Sequence, residues 1–325
     1  MHGGIGNHDI DVILEREGYR PIRFPSGNSS GPLAKLKRLG FLCHLVMTLP
    51  SDAVIAFQYP VDAKMAEWAL NVLNNRRRKI ICIVTDIDGI KDSDEKKLKQ
   101  DLKRLKKFRY FIVHNPFMQQ WLQQYGVEGT FSRLILFDYL TTEEPVVRER
   151  SFDVIYAGNV AYRPFVNQLH TLAANSPQMR FHIHGPVGDL DVKQGTNLSY
   201  HGVSDAHSLP SRLEGSYGLI WEGDSISSLQ GGFAEYLKYI SPHKLSMYIA
   251  AGIPVICHPK MAIAGFVTGE GIGFTVTDLA YLEYLLAGIS AEQYEMMRKN
   301  CLRLRPRVTE GQCLAEAMKD LLASN

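Results

Sequence analysis

Ten short runs of β-branched, aromatic and aliphatic residues recur along this chain, with helix-like stretches between them. In the first half they are PIRF (21–24), DAVIAF (52–57), KIICIVTD (79–86), RYFIVH (109–114) and SRLILF (132–137). In the second half they are FDVIYAG (152–158), MRFHIHG (179–185), YGLIWEG (217–223), IPVICH (253–258) and IGFTV (272–276). Each is nearly continuous in apolar character, as strands buried on both faces of a parallel sheet are. Their alternation with helices gives βαβ units. At 325 residues the chain exceeds one ordinary core and suits two domains of about 150 residues each. The charged, polar stretch DYLTTEEPVVRERS (138–151), which contains Pro145, separates the two sets of strands. The expected organisation is an α/β chain: a first domain over 1–145, a second over 146–308, and a final helix over 309–325 returning to the first. Ligands in such sheets bind beyond the carboxyl ends of the strands, so the informative residues should follow the strand-like runs.

Composition narrows the field. A hydrophobic content of 45% with 22% charged residues is that of a soluble globular protein, and a net charge of +2 gives no reason to expect nucleic acid. The first 150 residues carry 23 Lys/Arg against 18 Asp/Glu, and the remainder 13 against 16. The excess lies in NNRRRK (74–79) and KKLKQDLKRLKKFR (96–109). The second run reads either as a solvated helix with Leu98, Leu102 and Leu105 as its apolar stripe, or as a surface for an anionic membrane. In the latter case each basic residue contributes about 1 kcal/mol. Five cysteines, with neither paired nor zinc-type spacing, point to a reducing, cytoplasmic compartment. No leader is recognised, and the longest apolar run, LGFLCHLVMTLP (39–50), is too short to span a bilayer.

The most informative stretch is YLKYISPHKLSMYIAAGIPVI (236–256). Ser241 and Pro242 mark a helix start and Gly252 its stop, yet His243 and Lys244 occupy the first turn, where the helix dipole is already positive. An anion in front of the helix would turn that conflict into a binding site; the alternative is that both side chains bend out to solvent. YAGN (156–159) ends one strand, with Gly158 allowing close backbone approach, Asn159 beside it and Arg163 four residues on. HIHG (182–185) ends the next and brings His184. WEGDS (221–225), with Trp221, Glu222 and Asp224, follows another at the same sheet edge. Arg163, His184, Lys244 and these glycines along one rim suit a nucleotide diphosphate.

YAGN, YGLIWEGDS, GGFAEYLKYISPHKLSMYIAAGIPVI and IGFTV resemble the bacterial β-1,6-galactofuranosyltransferases of O-antigen assembly. They are similar, less closely, to the glucosyltransferases that extend GlcNAc on serine-rich adhesins. TDID (85–88), HNPFM (114–118) and LILFDYL (134–140) in the first half agree. The resemblance implies a GT-B fold, two facing Rossmann-like domains around an interdomain cleft with the donor on the C-terminal one. It also implies a UDP-sugar donor and metal-independent transfer to a glycan acceptor, expected to be lipid-linked. Lys244 would contact the diphosphate. Glu222 and Asp224 can bond sugar hydroxyls; Tyr236, Lys238 and Tyr239 can stack on uracil or bond the sugar, or be plain helix surface. Ser246, in the PHKLS segment, is counted with the donor site. Asp86-x-Asp88 has the spacing of a metal-binding DxD pair, but lies in the half away from the donor. Asp86, at a strand end of the acceptor domain, is placed either as general base of an inverting transfer or as a loop-capping carboxylate, with Asp88 as second choice. His114 is expected to be a satisfied strand-end histidine.

In one respect the chain departs from the family: Met1 leads through HGGIGN (2–7) directly into a helix, without the opening strand. Galactofuranose transfer is the first expectation and glucose transfer the second. The rivals are a UDP-sugar epimerase and a non-catalytic UDP-sugar-binding subunit. Association of the basic first domain with the inner face of the membrane, and of the chain with further copies of itself, are left as expectations.

Overall fold

The computed structural model describes residues 5–22, 31–60, 64–74, 78–161, 163–188 and 197–324. The first half begins with α1 (Ile5–Arg16) and α2 (Pro32–Thr48), followed by β1 (Val54–Tyr59), α3 (Lys64–Leu73) and β2 (Lys79–Val84). Next come α4 (Asp88–Lys91), α5 (Glu95–Leu105), β3 (Tyr110–Val113), α6 (Pro116–Gln124) and β4 (Thr130–Arg133). The second half has β5 (Asp153–Ala157), α7 (Pro164–Asn175), β6 (Arg180–His184), β7 (Leu198–Tyr200), α8 (Leu209–Arg212) and β8 (Tyr217–Ile220). It continues with α9 (Gly232–Tyr236), α10 (His243–Ala250), β9 (Val255–Cys257), α11 (Ala264–Gly269), β10 (Gly273–Thr275), α12 (Leu282–Gly288), α13 (Ala291–Thr309) and α14 (Gln312–Ala323).

Two separate sheets result, ordered β1-β2-β3-β4 and β10-β9-β8-β5-β6-β7, and every pairing in them is parallel. In β2 every residue after Lys79 is buried, as a strand covered on both faces must be. Ile81 and Ile83, with Ile112 of β3, face Ile10, Ile13 and Leu14 of α1 and Leu314, Ala317, Met318 and Leu321 of α14. The chain's last helix thus lies on the first sheet. Its N-terminus is capped from a distance. Gly311 has no side chain to offer, and the Asp138 carboxylate accepts instead from the amides of Cys313 and Leu314, at 3.0 and 2.9 Å. The opposite face of β2 and β3 joins a core that continues through Leu237, Ile240 and Leu245 to Tyr248, Ile155 and Val255 of the second sheet.

Two strand expectations shift, and one strand was not expected. The run at 132–137 supplies only its first two residues to a strand. Pairing with β3 starts at Thr130 and stops at Arg133, because Ile135 takes φ 64°, a left-handed conformation that no strand continues through. Pro21 and Ile22 form no strand, and the remainder of PIRF lies outside the described residues. β7, Leu198–Tyr200, lacks the continuous apolar run that marked β9 at the same length. No helix among the described residues is long and apolar enough to cross a membrane.

Candidate active site

The carboxyl ends of β2, β3, β5 and β8 converge on a cavity of about 320 Å³ between the two sheets. From the first half it is lined by Ile5, Gly6, Asn7, Thr85, Asp86, Lys91 and His114; from the second by Asn159, Arg163, Glu222, Phe233 and the segment from Ser241 to Lys244.

The start of α10 forms its floor. Pro242 is the N-cap and supplies no side-chain cap, and the first turn holds no acid. The charge conflict there is resolved in two ways. Lys244 Nζ donates to Glu222 Oε1 and to Tyr156 Oη, both at 2.7 Å, and stands 4.0 Å from the Tyr156 ring centroid. Glu222, from the end of β8, is therefore an anion supplied in front of the helix by the protein itself. Its second oxygen pairs with Arg163, whose guanidinium lies 4.9 Å from the Phe233 ring centroid. Two cations share one carboxylate, leaving a surplus positive charge at a helix N-terminus. Burial lowers the Lys244 pKa, and Glu222 opposes that shift. His243 adds no charge: burial brings its pKa down to about 4, and as a neutral ring it donates from Nε2 to the Asp138 carbonyl at 2.9 Å. Both side chains are half-buried and spent on protein partners, so neither bends out to solvent. At the far end of α10, Gly252 takes φ 66° and its amide closes on the Ile249 carbonyl at 3.0 Å, a turn that a Cβ would strain.

Asp86 faces the cavity from the other side. Its Oδ2 accepts from Lys91 Nζ at 2.9 Å and its Oδ1 from Tyr236 Oη at 3.3 Å. The same Tyr236 hydroxyl accepts from the Ile87 amide at 2.8 Å, so a buried tyrosine of the second half pins the Asp86 loop of the first. Removing it in Tyr236→Phe leaves the buried Ile87 N–H unpaired. An expected loss of about 1–3 kcal/mol should appear as a lower denaturant midpoint at unchanged slope. Asp88 opens α4 and turns to Lys97, 3.4 Å away, outside the cavity lining. The two carboxylates thus go to different lysines, and neither belongs to a clustered group of three metal-type ligands among the described residues. His114 accepts from the Ser241 amide at 3.2 Å through Nδ1 and donates from Nε2 to the Thr85 carbonyl at 3.1 Å, tying the halves together.

The structure brings Asp86, Asn159, Arg163, Glu222, His243 and Lys244 to one cavity, with Gly158 directly behind Lys244. Besides Asp88, it leaves six others placed by sequence outside that cavity. His184 is buried and stacks on His201, with ring centroids 4.5 Å apart. Trp221 is fully buried in the second-sheet core, its indole N–H donating to the Ser225 carbonyl at 2.9 Å. Ser246 is buried in α10. Lys238 pairs with Glu235 at 2.5 Å. Asp224 is exposed and lies against Gly231, outside the cavity lining. Tyr236 is fully buried, with its hydroxyl on the Asp86 loop in place of an open stacking face. Conversely, Tyr156, Phe233, Lys91 and the first turn of α1 were not foreseen. The glycines of HGGIGN were the available signal for α1, since Gly6 lets the helix start approach the His243 ring.

Buried histidines give the fold an acid limit. Burial holds His114, His184 and His243 at about 4, against an ordinary 6.5, and lowers His182 and His258 as well. Each takes up a proton on unfolding between its folded value and 6.5, so stability falls with pH across that window. Asp138, raised by burial to about 6, and Asp9 and Asp11, also raised, are protonated first in the folded state and act in the opposite sense. Five groups against three leave a net loss. The thermal midpoint is expected to fall between about pH 6.5 and pH 4; a flat or rising profile there contradicts this accounting.

Residues 2–134 match the family model described as Glucosyltransferase 3-like, N-terminal domain, and residues 154–321 the one described as Glucosyltransferase 3-like, C-terminal domain. The chain is 26% identical over 323 residues to the beta-1,6-galactofuranosyltransferase WbbI of Escherichia coli (strain K12), covering 96% of this chain and 92% of that protein. It is 29% identical over 132 residues to glucosyltransferase 3 of Streptococcus gordonii, 39% of each. Among solved structures it is similar to sucrose-phosphate synthase from Thermosynechococcus elongatus (TM-score 0.63, 15% identity, 94% of this chain and 84% of that one). It is also similar to Anabaena HepE in complex with UDP and glucose (TM-score 0.63, 12% identity, 97% and 89%). At these identities the structural likeness establishes the fold, which is GT-B: two Rossmann-like domains with parallel sheets.

Proposed function

The chain belongs to the glucosyltransferase 3-like family, and from that premise we propose that it transfers a hexosyl unit from a UDP-sugar to a glycan acceptor with inversion. The observation that carries this reading is the Lys244–Glu222–Arg163 cluster at the start of α10, facing Asp86 across the interdomain cavity. A diphosphate entering there meets a helix N-terminus and a surplus cation, and both gain in strength as the leaving UDP takes on charge. Asp86, on the opposite wall, receives the proton of the acceptor hydroxyl. Asn159, Arg163, Glu222, His243 and Lys244 form the donor site, with no metal required. The first domain, with α14, holds the acceptor. Galactofuranose is the donor sugar favoured by likeness to WbbI along nearly the whole chain; glucose is the second reading, favoured by the streptococcal relatives. The acceptor is a lipid-linked precursor of a surface polysaccharide, met at the cytoplasmic face by the basic first domain.

Gly158 supports the donor reading through Lys244. It sits at φ 141°, and a Cβ there would lie 2.5 Å from Lys244 Cε. Gly158→Ala is therefore expected to displace the lysine and weaken UDP about tenfold, the equivalent of about 1.4 kcal/mol, in a calorimetric titration. UDP affinity equal to wild type would remove Lys244 from the diphosphate.

The activity is tested by UDP release from UDP-galactofuranose, UDP-galactopyranose, UDP-glucose and UDP-GlcNAc, with hexoside acceptors, with and without EDTA. Acceptor-dependent release from one donor, unchanged by EDTA, is expected. Release that needs a divalent ion returns Asp86 and Asp88 to a metal role. UDP binding without release from any donor favours a binding subunit, and donor interconversion without acceptor favours an epimerase.

A further inference from the structure

Behind the cavity, three ligand-type side chains meet where α1 crosses the second domain: His8 and Asp9 on α1, and His207 in the loop before α8. One ligand atom from each lies within 4.8 Å of the others, and His8 Nδ1 is 3.7 Å from Asp9 Oδ1. A single peptide orients the two inner groups. The Leu140 amide donates to Asp9 Oδ2 at 3.0 Å, and the Leu140 carbonyl accepts from His207 Nδ1 at 2.7 Å. That second bond fixes the His207 tautomer and leaves Nε2 with a free lone pair, the arrangement found behind metal-ligating histidines. The first bond leaves Asp9 Oδ1 without a hydrogen-bond partner on a residue only 1% exposed. A carboxylate oxygen buried without a partner is costly unless something cationic completes it. His8, with its side chain 62% exposed, is free to swing toward the same point.

We propose that His8, Asp9 and His207 form a divalent metal site of zinc type that joins α1 to the second domain. Two imidazole nitrogens and one carboxylate oxygen suit Zn²⁺. Tetrahedral ligands at about 2.0–2.2 Å from the ion stand about 3.3–3.6 Å apart; His8 Nδ1 and Asp9 Oδ1 are already 3.7 Å apart, and all three ligand atoms lie within 4.8 Å of one another. The fourth position is left to water. Because Ile5, Gly6 and Asn7 at the head of α1 line the catalytic cavity, the ion fixes one of its walls. The site is separate from the Lys244 cluster and does not depend on the donor reading. A second ligand-type group, His182, His201 and Glu214, fits less well. His182 Nδ1 and His201 Nε2 are spent on each other at 2.9 Å, and Glu214 is 67% exposed.

The test is calorimetric titration of Zn²⁺ into the full, tag-free chain at neutral pH after chelator treatment and dialysis, with thermal midpoints recorded with and without the ion. One saturating Zn²⁺ per chain and a raised midpoint are expected. His8→Ala, Asp9→Asn and His207→Gln should each weaken binding about tenfold or more, and His201→Gln should leave it unchanged. His8 is exposed, and asparagine keeps an oxygen for the Leu140 amide, so the metal-free midpoints of these two variants show whether the fold survives. The proposal is overturned by the absence of saturable binding in wild type, by binding unchanged in both His8→Ala and His207→Gln, or by binding lost only in His201→Gln.

Discussion

Lys244→Ala is expected to lower turnover by about 10²–10³-fold, the loss seen when one preorganised stabiliser of developing negative charge is removed. Lys244 is held over Gly158 and against Glu222 and Tyr156, at the start of a helix whose first residues, His243 and Lys244, line the cavity. Its charge is partly desolvated, so a phosphate oxygen that takes over from Glu222 gains more there than it would from a solvated lysine. Removing the ammonium leaves Glu222 with Arg163 alone and cancels the surplus charge. Lys244→Met separates this from packing, since its side chain still fills the space above Gly158. Both variants should lose turnover alike, while Lys244→Met keeps more of the wild-type thermal midpoint. Turnover within a few-fold of wild type in Lys244→Met would show that the lysine serves the Glu222 pair and not the donor.

Asp86→Asn is expected to lose turnover by about 10²–10⁴-fold with UDP affinity unchanged, the pattern for a general base on the wall opposite the nucleotide. Asparagine keeps an oxygen for the Tyr236 hydroxyl, so that tether of the loop stays, while proton acceptance and the ion pair with Lys91 are removed. The alternative, a carboxylate that merely caps the loop with Lys91, predicts near-normal turnover together with a lowered midpoint. Asp88→Asn is the companion: with its carboxylate turned to Lys97, it should change turnover little. A large loss there and none at Asp86 would exchange their roles.

Residues whose surroundings are local were legible in the sequence, and those defined by distant partners were not. β2 and β8 announced themselves because burial on both faces requires continuous apolar residues. The α10 boundaries could be read from Pro242 and Gly252. The partner that answers the helix-start conflict, Glu222, comes from another strand end and is brought to Lys244 only by the sheet order β8-β5. Strand parity was the signal left unused. Tyr217, Leu219 and Trp221 share one face and enter the second-sheet core, while Glu222, one residue on, faces the cavity. In the same way His182 and His184 share a face on β6, and His201 packs against both rings. Tyr236 misled because its hydroxyl, buried at the domain junction, does positional work that periodicity cannot distinguish from a stacking platform.

Provision of the positive charge for the donor diphosphate by the protein itself, through Lys244 and the α10 N-terminus, is what we propose. It is tested most directly by titrating UDP into wild type and Lys244→Met in the presence of EDTA. Saturable binding to wild type at one UDP per chain is expected, with an affinity at least about tenfold weaker in the variant, the equivalent of about 1.4 kcal/mol. Equal affinities, or no binding to wild type until a divalent ion is added, would contradict it.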